Sequence, residues 1–487
     1  MSGSSEDSMR GSIRLFLVRQ VLALGTLLVI GGARLPARPS DPSQGADLPR
    51  PGQTGEVVCG SDHGQSYALY VPSGYTAAKR WPIVYFFDPA GRGRRPVDLY
   101  KNIAETYGFI FAGSNNSRNF SSDQSATVNS IWRDTHERLS LDERRVYASG
   151  FSGGARVAAA MALSCPQCQM AGIIAHGAGY PSSRADSNDK LLYFFAVGNR
   201  DFNWPEVAMI RRQREAHGQP YRVRIFDGSH QWAPVEVMED AIQWLILKAM
   251  QQAAMSPDPA FIDRQFQQDQ SEMEEAKKRG DAIAQVNAYH SLVSDFSRLK
   301  SVGELAKNLA ELKHSDALKR ALKSEQEEID EQFALEREIS PKLHRYTDGK
   351  TDDPSALRLE IVRALGGLRD QAAHAKTERK RLIYGRAFDD VWVQGIENGQ
   401  QALEARHWEA AESSFELMAQ VSDNAWPHVL LAQTHASSGK CKQAIRDLQQ
   451  AVRRGWKDRE ALESDSRLSV LRSDADFQKI LAELNRP

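Results

Sequence analysis

A serine between glycines, an aspartate and a histidine are the residues here whose types and spacing could do chemistry together. Gly150-Phe151-Ser152-Gly153-Gly154 fits G-x-S-x-G. At ordinary Gly and Ser frequencies such a match arises by chance about 0.15 times in a chain of this length, so the flanking residues must decide. Before it, Arg145-Val146-Tyr147-Ala148-Ser149 reads as a short strand; after it, Ala155 to Leu163 is a strong helix former. Strand, glycine turn and helix lift a hydroxyl above a sheet edge. They also aim the first N–H groups of the helix at a developing negative charge. A serine hydroxyl is a poor nucleophile at neutral pH. It needs an imidazole to take its proton and a carboxylate to orient that imidazole. Asp201 follows the apolar run Leu191 to Gly198, and His230 follows the strand candidate Tyr221 to Phe226. Ser152, Asp201 and His230 thus each lie just past the carboxyl end of a strand, where open α/β sheets place their sites. The chemistry this allows is acyl transfer through the serine oxygen.

The elements that must hold these residues alternate. Strands are expected at Ser66 to Val71, Pro82 to Phe87, Phe109 to Gly113, Arg145 to Gly150, Gly172 to Ala175, Leu191 to Val197 and Tyr221 to Phe226. Helical patterns fall between them, which predicts an α/β fold with a mainly parallel sheet covered on both faces.

Residues 55–252 resemble a small α/β-hydrolase of the branch that contains feruloyl-esterase, polyhydroxybutyrate-depolymerase and dienelactone-hydrolase relatives. The matching pieces are the strand Pro82 to Phe87, the Ser152 turn, Gly198-Asn199-Arg200-Asp201 and Gly228-Ser229-His230-Gln231-Trp232. The resemblance implies hydrolysis of a small-molecule or polymer-linked ester by a Ser152-Asp201-His230 triad, with neither cofactor nor metal. It also implies an oxyanion hole built from the Gly153 N–H and a second N–H after the strand that ends at Phe87. Many relatives carry His-Gly there, whereas this chain has Asp88-Pro89-Ala90-Gly91. Proline has no N–H, so Ala90 is the expected second donor, with Gly91 as the alternative. Asp88 puts a carboxylate beside that donor unless it turns away or pairs with Arg92, Arg94 or Arg95.

Other residues near the site divide between function and structure. Asn115 and Asn116, in the polar run Gly113 to Asn119, are candidates for substrate binding; the alternative is turn chemistry. Trp232 is a further substrate-binding candidate, with core packing as its alternative. His176 ends a strand but precedes Asp201 and is expected to be structural. Asp227, three residues before His230, is expected to order the turn. Cys165-Pro166-Gln167-Cys168 lacks the further ligands a zinc site needs, which leaves a disulfide or buried thiols. Cys59 is the candidate partner from outside the pair.

With 62 Lys plus Arg against 63 Asp plus Glu, no net field favours nucleic acid. A chain of 487 residues is expected to hold several domains. Residues 1–37 read as an export signal: Arg10, Arg14 and Arg19 precede the apolar core Val21 to Ile30. A periplasmic or secreted location follows, or a membrane anchor if the segment is not cleaved. Residues 38–54 have linker composition and 253–399 form a charged helical region with solvated faces. In 400–487, Ala411, Phe415 and Met418 are echoed by Ala444, Leu448 and Ala451, an offset close to the 34-residue tetratricopeptide period. Such repeats serve as a protein-binding groove or a structural cap. A chain whose hydrolase domain has lost efficient catalysis and acts as a scaffold is the alternative overall reading.

Overall fold

The computed structural model describes residues 48–121, 123–179 and 190–484. The proposed signal segment and most of the linker lie outside them. The chain divides into two compact units between Ser324 and Glu325, where the sequence suggested boundaries at 252/253 and 399/400.

The first unit is built on an eight-stranded sheet of order β1-β2-β4-β3-β5-β6-β7-β8. The strands are β1 (Thr54–Cys59), β2 (Asp62–Tyr70), β3 (Trp81–Phe87), β4 (Ile110–Ser114), β5 (Leu141–Phe151), β6 (Gly172–His176), β7 (Leu192–Gly198) and β8 (Tyr221–Phe226). Pairing is antiparallel for β1 with β2 and β2 with β4, and parallel from β4 to β8. This is a mainly parallel α/β sheet, as expected. The continuous apolar runs are explained by burial on both faces. On β7, Leu192, Phe194 and Ala196 enter one core, and Tyr193, Phe195 and Val197 the other. One face is covered by α1 (Arg94–Tyr107) and α5 (Val235–Gln251). The other is covered by α2 (Gln124–Arg138), α3 (Gly153–Ser164) and α4 (Trp204–Ala216).

The helices α6 (Pro259–Lys278), α7 (Ala282–Phe296) and α8 (Gly303–Lys313) belong to this unit and share its core through Phe261, Met273, Leu292, Phe296 and Leu309. Their charges are not all solvated. Arg222 on β8 is buried against Asp240 at 3.3 Å, Asp269 at 2.5 Å and Asp295 at 3.0 Å. Lys248 reaches Asp295 at 3.3 Å. Burial opposes the Arg222 charge, yet the three carboxylates hold its pKa well above the usual value. Removing one partner from such a cluster costs about 3–5 kcal/mol.

Helix α9 (Asp316–Thr347) contains the division between the units. Pro341 lies inside it rather than ending it, flanked by the buried Ile339 and Leu343; packing outweighs the lost hydrogen bond. The second unit continues with α10 (Pro354–Ala373), α11 (Glu378–Glu404), α12 (Trp408–Val421), α13 (Trp426–Ser437), α14 (Cys441–Arg453), α15 (Arg459–Ser464) and α16 (Ala475–Glu483). All six echoed residues, on α12 and α14, are fully buried. Among the described residues no helix is long and apolar enough to cross a membrane.

Candidate active site

The turn between β5 and α3 carries Ser152 at φ 53°, ψ −122°. An L residue is strained there by about 1–3 kcal/mol, and such strain persists only where the surroundings impose it. They do so here. The Ser152 N–H donates to the His176 carbonyl at 2.9 Å. A side chain on Gly154 would lie 1.9 Å from the Phe87 carbonyl oxygen, so only glycine lets α3 approach β3 this closely. Gly153 is the first residue of α3, and its N–H therefore has no acceptor within the helix.

Asp201 and His230 meet directly. His230 Nδ1 lies 2.9 Å from Asp201 Oδ1 and 3.0 Å from Oδ2. Asp201 is fully buried, and its Oδ1 also accepts the Asn203 N–H at 2.9 Å. The proton on Nδ1 is thereby committed to Asp201, and Nε2 keeps its lone pair. The imidazole is held between two rings, Phe151 at 4.5 Å and Phe202 at 4.2 Å between centroids. Phe151 precedes Ser152, so this stack brings the dyad alongside the serine turn. Gly177 closes the arrangement: at φ +58°, a side chain on it would lie 2.7 Å from Asp201 Oδ2 and 3.1 Å from His230 Nδ1. The hydrogen bonds among the described residues do not include one from Ser152 Oγ to His230 Nε2; without substrate such contacts are commonly long.

The loops carrying the dyad are laced together. Asp227 accepts from Arg200 and, at 3.3 Å, from Asn199 Nδ2; Gly228 N–H donates to Asn199 Oδ1 at 3.2 Å. Asp227 thus orders the turn while Asp201 faces the histidine. His176 is a buried packing residue. Its Nδ1 accepts the Ala233 N–H at 3.4 Å, Nε2 meets Ser149 Oγ at 3.2 Å, and burial pushes its pKa down to about 3. On the helices behind, Arg156 of α3 pairs with Glu206 of α4 at 3.1 Å. Burial raises the Glu206 carboxyl, and Arg156 opposes the rise.

Four expected residues are engaged elsewhere. The Ala90 N–H donates to Asp88 Oδ1 at 2.9 Å and the Gly91 N–H to the Asp88 carbonyl at 2.9 Å. Ala90 is therefore not an oxyanion donor in this conformation, because a charged acceptor two residues back outcompetes a site across the loop. Asp88 itself is fully buried and paired with Arg92 at 3.0 Å. Trp232 is not a substrate wall. It is 6% exposed, its Nε1 donates to Asp88 Oδ2 at 3.0 Å, and its ring packs on His176 at 4.9 Å and Phe151 at 5.8 Å. Asn115 and Asn116 turn to β1 and β2: Asn115 Nδ2 donates to Glu56 at 2.7 Å, and Asn116 bonds the Ser66 N–H at 2.9 Å and the Gly64 carbonyl at 3.1 Å. The amide that does reach the serine turn belongs to Asn119, in the same polar run. Phe202, Asn203 and Gly177 also went unsignalled; the run Gly177-Ala178-Gly179 after a strand was the one available cue.

Cys165 and Cys168 form a disulfide with each other, while Cys59 is buried and free and Cys441 is free. No third partner from outside the pair is involved.

No protein-family model matches the chain, and no curated protein matches it. Among solved structures, it is similar to S-formylglutathione hydrolase FrmB from Staphylococcus aureus, at 13% identity over 41% of this chain and 99% of that one, TM-score 0.33. A ferulic acid esterase gives 13% identity over 39% and 93%, TM-score 0.32. The esterase Est2 of Thermogutta terrifontis gives 15% over 40% and 90%, TM-score 0.31.

Proposed function

We propose that the first unit is a serine hydrolase that cleaves a carboxylic ester through an acyl-enzyme on Ser152. The observation that carries this is the strained Ser152 turn beside the buried Asp201 and its partner His230, whose imidazole is clamped between Phe151 and Phe202. In the proposed reaction Ser152 Oγ bonds to the carbonyl carbon and gives its proton to His230 Nε2. The carbonyl electron pair moves onto oxygen, facing the Gly153 N–H. Collapse expels the alkoxide, which takes the proton from His230. Water repeats the sequence and frees the acid. Asp201 fixes the tautomer and stabilises the imidazolium.

The chain is proposed to be exported, on the basis of residues 1–37. Residues 400–487, within the second unit, are proposed to be a tetratricopeptide-like array, supported by the echo that α12 and α14 bury, and to dock a protein partner. A scaffold with weak catalysis is the second reading, favoured by one fact: both loop N–H groups that follow Pro89 are already spent. Steady-state hydrolysis of p-nitrophenyl acetate by the parent and Ser152→Ala decides between them. The hydrolase reading expects a loss of about 10⁴-fold or more in kcat; a parent with no turnover on this or longer acyl esters supports the scaffold.

A further inference from the structure

We infer that the side-chain amide of Asn119 is the second oxyanion donor, in place of the N–H of Ala90; this rests on the hydrolase reading. An acyl-transfer site with one donor is handicapped, since each donor contributes about 10²–10³ in rate. The loop after β3 offers none at the positions expected to supply it. Pro89 lacks an N–H, and those of Ala90 and Gly91 bond to Asp88.

Asn119 stands where a replacement is needed. Its backbone N–H donates to the Pro89 carbonyl at 2.8 Å, which ties it to the loop that failed to supply the donor. Two residues earlier, Ser117 Oγ donates to the Asp88 carbonyl at 2.9 Å and secures the same segment. Phe120 follows at φ 64°, a costly conformation for an aromatic residue. The amide is laid directly over Gly153: a methyl group on that glycine would sit 2.0 Å from Asn119 Oδ1 and 3.0 Å from Nδ2. A side chain at the glycine after the nucleophile would therefore displace this amide. Asn115 and Asn116 have their amides bonded to β1 and β2, whereas the Asn119 amide has no hydrogen-bond partner among the described residues. A half-turn about its last torsion exchanges oxygen for NH₂ with almost no change of shape. Negative charge on the tetrahedral oxygen, next to the Gly153 N–H, selects the NH₂ end. The donor pair is then one backbone and one side-chain N–H.

Kinetics of p-nitrophenyl acetate hydrolysis and rates of phosphonylation by a fluorophosphonate test this in the full chain. Asn119→Ala is expected to lose about 10²–10³ in kcat and in phosphonylation rate, with KM within about threefold and an unchanged thermal midpoint. Gly153→Ala, whose methyl displaces the amide from its place over the turn, is expected to lose kcat comparably. Parent-like kcat in either variant, with Ser152→Ala inactive, overturns the Asn119 role and leaves the hydrolase reading intact. Retained turnover in Ser152→Ala overturns both.

Discussion

Two loops leave the same sheet edge side by side, because β3 and β5 are paired up to Phe87 and Gly150. They treat their polar groups in opposite ways. The loop after β5 holds Ser152 in a strained conformation and leaves the Gly153 N–H without an acceptor in the helix. The loop after β3 satisfies itself: Asp88 absorbs Ala90, Arg92 and Trp232 with its carboxylate, and Gly91 and Ser117 with its carbonyl. Strain and an N–H without a helix acceptor mark the Ser152 loop, while a single internal acceptor, Asp88, gathers the polar groups of the other.

Asp201→Asn should break the contrast most severely. It leaves the shape of the pair but reverses the tautomer, so kcat is expected to fall about 10⁴-fold with little change in stability. Asp88→Ala should do the reverse. It removes the acceptor of the buried Trp232 Nε1 and of the Ala90 N–H, and is expected to cost about 2–3 kcal/mol in chemical denaturation. A variant as stable as the parent would show that the loop after β3 does not depend on Asp88.

The Ser152 loop was the more legible one. Serine between glycines, then an acid and a histidine after successive apolar strands, is a local pattern repeated three times at strand ends. β3 and β7 were visible because strands buried on both faces are apolar throughout. β1 was not, since Glu56 and Val58 face outward on a short edge strand. Which amide faces the site could not be read either. Asn115 and Asn116 are turned away by Glu56, Gly64 and Ser66, some fifty residues earlier in the chain. The same holds for the helices after residue 252. Their charges look solvated in sequence, but Arg222 on a distant strand pulls Asp269 and Asp295 inside.

A pH-dependent effect, small per pH unit, concerns His176. Its pKa falls from 6.5 unfolded to about 3 folded, by burial. Between those values the unfolded chain binds a proton that the folded chain does not. Stability from this group is therefore complete above pH 6.5 and declines as pH drops toward 3, by about 1.4 kcal/mol per pH unit. Denaturation midpoints measured from pH 7 to pH 4 should show this slope in the parent and a shallower one in His176→Gln.

Peptide mapping by mass spectrometry after fluorophosphonate treatment tests the central claim most directly. One phosphonyl adduct is expected, on the peptide containing Ser152, and none on that peptide in Ser152→Ala. A folded, ester-cleaving protein that carries its adduct on another residue would contradict the account.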